Sequence, residues 1–160
     1  MLIRPIRADD KRLLEDGLRN LSQTSIQRRF LSPKRRFSRT ELRYLTEVDG
    51  WDHVALVVES PTQPVRRLIA VARYVRHPEH PDTAEAAIVV ADEFQNRGLG
   101  SLLVEELAQR ARMRGVRRFT ATMASDNVPA RRLLEKLTDH LERHQAGRGV
   151  PELTGDLAAA

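Results

Sequence analysis

The sequence of 160 residues predicts an α/β fold (α+β in detail), in which a central mixed, mostly antiparallel sheet is flanked by helices. Three observations carry this. Residues 86–91 (AAIVVA) are an unbroken apolar run, the pattern of a strand buried on both faces; a polar stretch, 92–97, and a helical pattern opening at Gly98-Leu99-Gly100 follow it. Residues 53–59 (HVALVVE) and 67–76 (RLIAVARYVR) read as two strands joined by a Pro-containing hairpin loop at 60–64. A further strand pattern at 117–124 (RRFTATMA) returns after the helix, so the strands at 84–91 and 117–124 are parallel, joined by a right-handed crossover.

Residues 2–7 (LIRPIR) form a short strand that Pro5 confines to a sheet edge. Asp9 or Asp10 caps a helix in which Leu13, Leu14, Leu18 and Leu21 keep a helical spacing through about Asn20. Residues 22–30 are a short helix or a turn, and 31–36 a basic loop. Ser38, with Glu41 three residues on, marks the start of a helix running to about Thr46, and Asp49-Gly50 is a turn. Counted as elements, the chain opens with a strand, two helices and three strands. The long helix that follows has Leu99, Leu102, Leu103, Leu107 and Ala111 as its apolar stripe and Gly115 as its stop. After the strand at 117–124, Asp126-Asn127 starts a helix through Leu137. Residues 138–157 carry weaker signals: 141–144 alternate, 147–149 are a turn, 150–157 a last strand, and the Ala158–Ala160 end is frayed.

Composition narrows the function classes. Apolar residues make up 41% and charged residues 31%, and no apolar run approaches the ~20 residues of a membrane span, so a globular chain without a membrane partner is expected. The first ten residues lack the apolar core of a signal peptide, and a cytoplasmic location is expected. Cysteine is absent, which removes thiol nucleophiles and cysteine metal sites. Basic charge comes from Arg, with only Lys11, Lys34 and Lys136 as lysines. Residues 1–50 carry 12 basic and 7 acidic side chains, 51–96 carry 4 and 7, and 97–150 carry 11 and 6. Positive charge thus flanks the loop at 95–100, which suits a polyphosphate ligand. Few aromatics and no recognised motif speak against nucleic acid as a partner.

A helix N-terminus offers unpaired N–H groups and partial positive charge, and glycines there admit a phosphate close to the backbone. Residues 95–100 (QNRGLG) meet that need after a strand. The dinucleotide fingerprint fails, because Leu103 stands where its third glycine belongs; the P-loop fails, because this loop has no lysine. The remaining pattern, Gln95-x-x-Gly98-x-Gly100, resembles the pyrophosphate loop of the GNAT N-acetyltransferases. The likeness covers nearly the whole chain and is greatest to the acetyltransferase domain of bacterial protein lysine acetyltransferases. It rests on IRPIRADD with SQTSIQRRFLSP, on AEAAIVVADEFQNRGLG, and on SDNVPARRLLEKL.

The resemblance implies a three-layer GNAT-like fold, a single domain over 1–160, and acetyl-CoA as co-substrate with no metal. It implies that the backbone of Val89, Val90 and Ala91 pairs with pantetheine as an added strand. Gln95, Asn96, Arg97, Gly98, Leu99, Gly100 and Ser101 would hold the pyrophosphate, Asn127 would contact the pantetheine arm, and Lys136 would lie near CoA. Glu85 is the catalytic candidate. An alkylammonium must lose a proton before attacking a thioester, and a carboxylate whose pKa is raised by partial burial accepts one. Related lysine acetyltransferases place a glutamate base at this point of the strand.

Two departures stand out. Leu134 occupies the position of the Tyr that many family members use to reprotonate the thiolate, and Thr138-Asp139 replaces the usual Gly-Phe after the last helix, which leaves the terminal strands open. No regulatory nucleotide-binding or synthetase domain is read in these residues. His77 with His80, and His140 with His144, are spaced as metal pairs but lack a third ligand, and are read as surface histidines. Trp51 is read at the core edge. Acceptors remain open between a protein lysine, which is favoured, and a small amine; a non-catalytic acyl-CoA-binding regulatory domain is the alternative from another class. The oligomeric state is expected to be monomer or homodimer.

Overall fold

The computed structural model describes residues 2–60, 65–145 and 150–159. The loop expected at 60–64 (apart from Ser60), the turn at 147–149 and the last residue lie outside them. Strands β1 (Leu2–Pro5), β2 (His53–Glu59), β3 (Leu68–Arg76), β4 (Thr83–Val90), β5 (Arg118–Thr122), β6 (Thr138–Gln145) and β7 (Pro151–Leu157) form one sheet in the order β1-β2-β3-β4-β5-β7-β6. All neighbours are antiparallel except β4 and β5, which are parallel and joined through a helix. The mixed, mostly antiparallel sheet is therefore as expected, and Pro5 does sit on the edge strand.

Helices α1 (Lys11–Arg19), α2 (Gln23–Phe30) and α3 (Arg39–Thr46) precede the central hairpin, one more than the two expected. Ser22 settles the difference: its hydroxyl accepts the Ser25 N–H and caps α2 as a true helix. Ser38 and Glu41 form the reciprocal capping box at the start of α3. The expected cap of α1 is corrected. Asp10 does not cap the helix; its carboxylate is fully buried and takes a two-pronged contact from Arg4 (2.8 Å each) and the Arg7 N–H (2.7 Å).

Apolar residues fill both faces of the sheet. Leu56, Ala70, Ala72, Tyr74, Ala84 and Phe119 pack beneath α4 (Leu99–Met113) and α5 (Val128–Leu137). Ala55, Val57 and Val71 pack with Leu14 of α1 and Leu42 of α3. In α4 the buried stripe is Leu99, Leu103, Val104, Leu107, Ala108 and Ala111; Leu102, counted into the stripe from spacing, is 55% exposed. The apolar arc is centred about one residue round from the expected line, so Val104 and Ala108 enter and Leu102 leaves.

The C-terminus resolves into β6 and β7, paired from Thr138↔Leu157 to Gln145↔Pro151 with an irregularity between Asp139 and Glu142. No Gly-Phe is needed, because β6 starts directly at the end of α5. Gly155 makes room: a Cβ there would lie 2.5 Å from Thr138 Cβ. Trp51 is neither core nor pocket; it is 58% exposed, with the Arg114 guanidinium 5.3 Å from its ring.

Candidate active site: a parted pair of strands beside a helix N-terminus

β4 stays paired with β3 as far as Ala70↔Val90, but with β5 only over Thr83↔Arg118, Ala84↔Phe119 and Glu85↔Thr120. Beyond Glu85 the two parallel strands separate. The run 86–91 was expected to be buried on both faces; Ala86–Val90 are instead half-exposed, because on the β5 side that stretch has no paired strand among the described residues. An apolar sequence thus lines an open cleft. One part, about 380 Å³, is lined by Glu85, Ala86, Ile88, Phe119, Asn127 and Leu134 among others. It continues into a region of about 340 Å³ bounded by Val89, Val90, Gln95, Gly98, Gly100 and Ser101.

Backbone direction alternates along a strand, so only every second residue presents its polar groups to the opening. The Ala91 N–H donates to Ile69 O (2.8 Å) on the β3 side, which turns the N–H and C=O of Val90 toward the opening. Val90 O accepts from Gln95 Nε2 (3.0 Å), which also donates to Ser25 Oγ (3.1 Å). Gln95 is thereby tied both to the strand and to α2.

The chain then turns sharply. Asn96 has φ 60° and Gly98 φ 80°, and α4 begins at Leu99 with no side-chain cap. The first N–H groups of α4 are consequently free of intrahelical partners at the mouth of the cleft. Gly98 supplies the left-handed turn that starts the helix. Gly100 has a different role: a Cβ there would come within 3.3 Å of Leu133 Cδ1 and 3.7 Å of Ile88 Cδ1, so its bareness lets α4, α5 and β4 approach. Arg97 lays its guanidinium 5.5 Å from the Phe94 ring. Lys136 Nζ reaches Ser101 Oγ at 3.4 Å, which brings the end of α5 to the start of α4. Asn127 caps α5 through Oδ1 (Ala130 N–H, 3.3 Å), and its Nδ2 has no hydrogen-bond partner among the described residues.

Glu85 stands where the strands part, opposite Val75 on β3 and Thr120 on β5. It is exposed, so the burial invoked for it from the sequence is absent. Its charged neighbour is Arg29 of α2, whose guanidinium is pushed down by burial and drawn back up by the Glu85 charge. On the same face of the sheet, Arg73 of β3 lies across from Ala87.

Sequence spacing missed the residues that hold α2 over this cleft. Asp92, just past β4, accepts from the Ser22 N–H (2.9 Å), Ser22 Oγ (2.6 Å) and Ser25 Oγ (2.8 Å). Burial works to raise the Asp92 carboxyl, but these bonds from Ser22 and Ser25 outweigh it and hold it below the usual carboxylate range. A serine N-cap at 22 was the available signal; nothing in the sequence pairs it with a residue 70 positions away. Among the described residues no group of three or more His, Cys, Asp or Glu is arranged to hold a metal. No described helix is long and apolar enough to cross a membrane.

The sequence and fold have known relatives. Residues 24–138 match the model of the acetyltransferase (GNAT) family. The chain is 38% identical over 136 residues to the acetyltransferase Pat of Mycolicibacterium smegmatis, a match covering 84% of this chain and 40% of that protein. It is 28% identical over 133 residues to an acetyltransferase of Pseudomonas aeruginosa, covering 83% and 71% of the two. The crystal structure of the GNAT domain of S. lividans PAT superposes with a TM-score of 0.84 at 31% identity, covering 97% of this chain and 89% of that one. The chain thus spans less than half the length of the mycobacterial relative. A family model over most of the sequence, and a solved GNAT domain matching nearly all of the fold, establish that the chain belongs to the acetyltransferase (GNAT) family.

Proposed function

We propose that residues 1–160 act as one acetyl-CoA-dependent N-acetyltransferase domain that moves an acetyl group to a primary amine, with a protein lysine as the favoured acceptor. The observation that carries this is the parting of β4 from β5 beside the uncapped start of α4, with Glu85 at the vertex. Acetyl-CoA fits these residues. Val90 offers an N–H and a C=O to an extended amide-bearing arm, and Asn127 Nδ2 is a second donor beside it. Residues 95–101, with Lys136, offer donors and positive charge to a pyrophosphate. Bound there, acetyl-CoA supplies an acetyl group activated as a thioester.

The chain's own work is to bind, orient and move one proton. An amine is mostly ammonium at neutral pH, and Glu85 takes its proton, directly or through a water, from the face of the sheet that α2 covers. No group on α5 is assigned to the departing thiolate, since Leu134 is buried in the core. The reading carries with it the cytoplasmic setting expected from the sequence. It is tested by incubating the protein with acetyl-CoA, a set of candidate proteins and a panel of amines, then locating acetyl groups by mass spectrometry. Acetyl-lysine on a folded protein is expected. Acetylation of small amines alone would refute the protein acceptor, and no transfer to anything, with CoA bound, would point to a non-catalytic domain.

A further inference from the structure

Behind Arg29, on the α1–α3 side of the sheet, is a small cavity of about 60 Å³. Its walls are mostly apolar, from Leu13, Leu18, Phe30, Phe37 and neighbours, yet three arginines are among its lining residues: Arg29, Arg67 and Arg73. No acidic residue lines it. Arg29 makes no ion pair or hydrogen bond among the described residues; its guanidinium rests 4.9 Å from the Phe30 ring. Arg73 is 6% exposed, and its Nη1 donates only to neutral acceptors, Leu45 O (3.1 Å) and His53 Nε2 (2.9 Å). Arg67 reaches Glu93 through Nη2 (2.5 Å), but its Nε is buried and has no partner.

Of the three, Arg73 is the buried one and faces no anion among the described residues, whereas Arg29 and Arg67 are partly exposed and have Glu85 and Glu93 near them. A cation buried without an anion is costly, and like charges repel one another. The field is felt: Arg73 is pushed down to about 9, first by burial and then by Arg29. A planar anion would relieve this, because a guanidinium fork matches a carboxylate. The cavity has room for about four water-sized spheres, enough for a carboxylate and too little for a whole acceptor. Arg29 also lines the cleft that holds Glu85, and Arg73 lies opposite Ala87, two residues and so about 7 Å along β4 from Glu85.

We infer that Arg29, Arg67 and Arg73 form a carboxylate subsite, and that the preferred acceptor carries a carboxylate within a side chain's reach of its amine. The inference rests on the acetyltransferase reading and adds the chemistry of the acceptor. The carboxylate has two sources, the α-carboxylate of a free amino acid or an acidic residue beside a protein lysine.

Two matched pairs separate them: free lysine against lysinamide, and a lysine peptide with a neighbouring Glu against the same peptide with Gln. The carboxylate member of at least one pair should be favoured about tenfold or more in kcat/KM. The ratio should fall close to one in Arg29→Gln and be partly kept in Arg29→Lys, with thermal unfolding showing that both variants fold. Ratios near one in both pairs, with acetyl transfer intact, overturn the subsite and leave the acetyltransferase reading standing. If no amine is acetylated, that reading fails, and the same pairs are titrated into the CoA-loaded protein by calorimetry. Tighter binding of a carboxylate member, lost in Arg29→Gln, upholds the subsite; equal binding overturns it.

Discussion

At Gly98 the backbone φ is 80°, while at Gly100 it is an ordinary helical position pressed against Leu133 and Ile88. Both glycines were legible in the sequence as one cradle, but the packing role of Gly100 was not, since Leu133 is remote in the chain. Gly98→Val forces a branched side chain into the left-handed region, and Gly100→Val drives α4 away from α5. Each should weaken CoA by more than about tenfold, or ~1.4 kcal/mol, by calorimetry on protein that still melts cooperatively. Unchanged affinity in both would remove the loop from the CoA site. Glu85 was legible as the one carboxylate entering the apolar run. Its exposure was not, because a string of apolar letters looks the same whether the next strand lies beside it or turns away. The half-buried state of Ile88, Val89 and Val90 follows from that parting.

Element starts marked by a local capping signal were read well: Ser38 with Glu41 opens α3, and Asn127 opens α5. Asp10 misled because its partner Arg4 lies on β1, and an ion pair between elements leaves no periodic trace. β6 and β7 were faint for a related reason: β6 is mostly exposed and polar, and its place depends on Gly155 admitting Thr138. The β2–β3 hairpin carries a testable pH dependence. His53 is 8% exposed and lowered to about 4, chiefly by burial, then by Arg73, with Asp49 opposing. The folded protein therefore holds this ring neutral, and the unfolded chain binds a proton first. The stability it contributes is complete above about pH 6.5 and is lost as pH falls through that value toward about 4, by on the order of 2–3 kcal/mol. Urea denaturation from pH 7 to 4.5 should show this slope. His53→Gln, which retains an acceptor for Arg73, should flatten it; an unchanged slope would mean that other groups govern the acid response.

Over the whole molecule, the uneven charge read from the sequence meets the fold at the side of the cleft proposed for the acceptor. Arg28 and Arg29 line the cleft with Glu85, and Arg35 and Arg36 are exposed nearby in sequence, whereas Lys34 is bound by Glu41 of α3. A surface of this sign draws an acidic protein and repels a polyamine. A protein lysine flanked by acids should therefore outcompete spermidine in kcat/KM, and its lead should shrink above ~0.15 M salt, where screening shortens to under ~8 Å. Reversing Arg35 and Arg36 to Glu should impair the protein substrate and spare CoA binding; better use of spermidine at every salt concentration would contradict the protein acceptor. The family likeness was legible from QNRGLG and its setting, and the single sheet with one parallel step agrees with it. The acceptor was not legible, because the wall proposed for it is built by residues from α1, α2 and β3 far apart in sequence. On the proposed mechanism this cleft binds CoA and Glu85 takes the amine's proton. The most direct measurement compares acetyl transfer by the wild type and Glu85→Gln at matched CoA occupancy. Transfer should fall about 10²-fold or more while CoA affinity stays near wild type; full activity in Glu85→Gln would contradict the account.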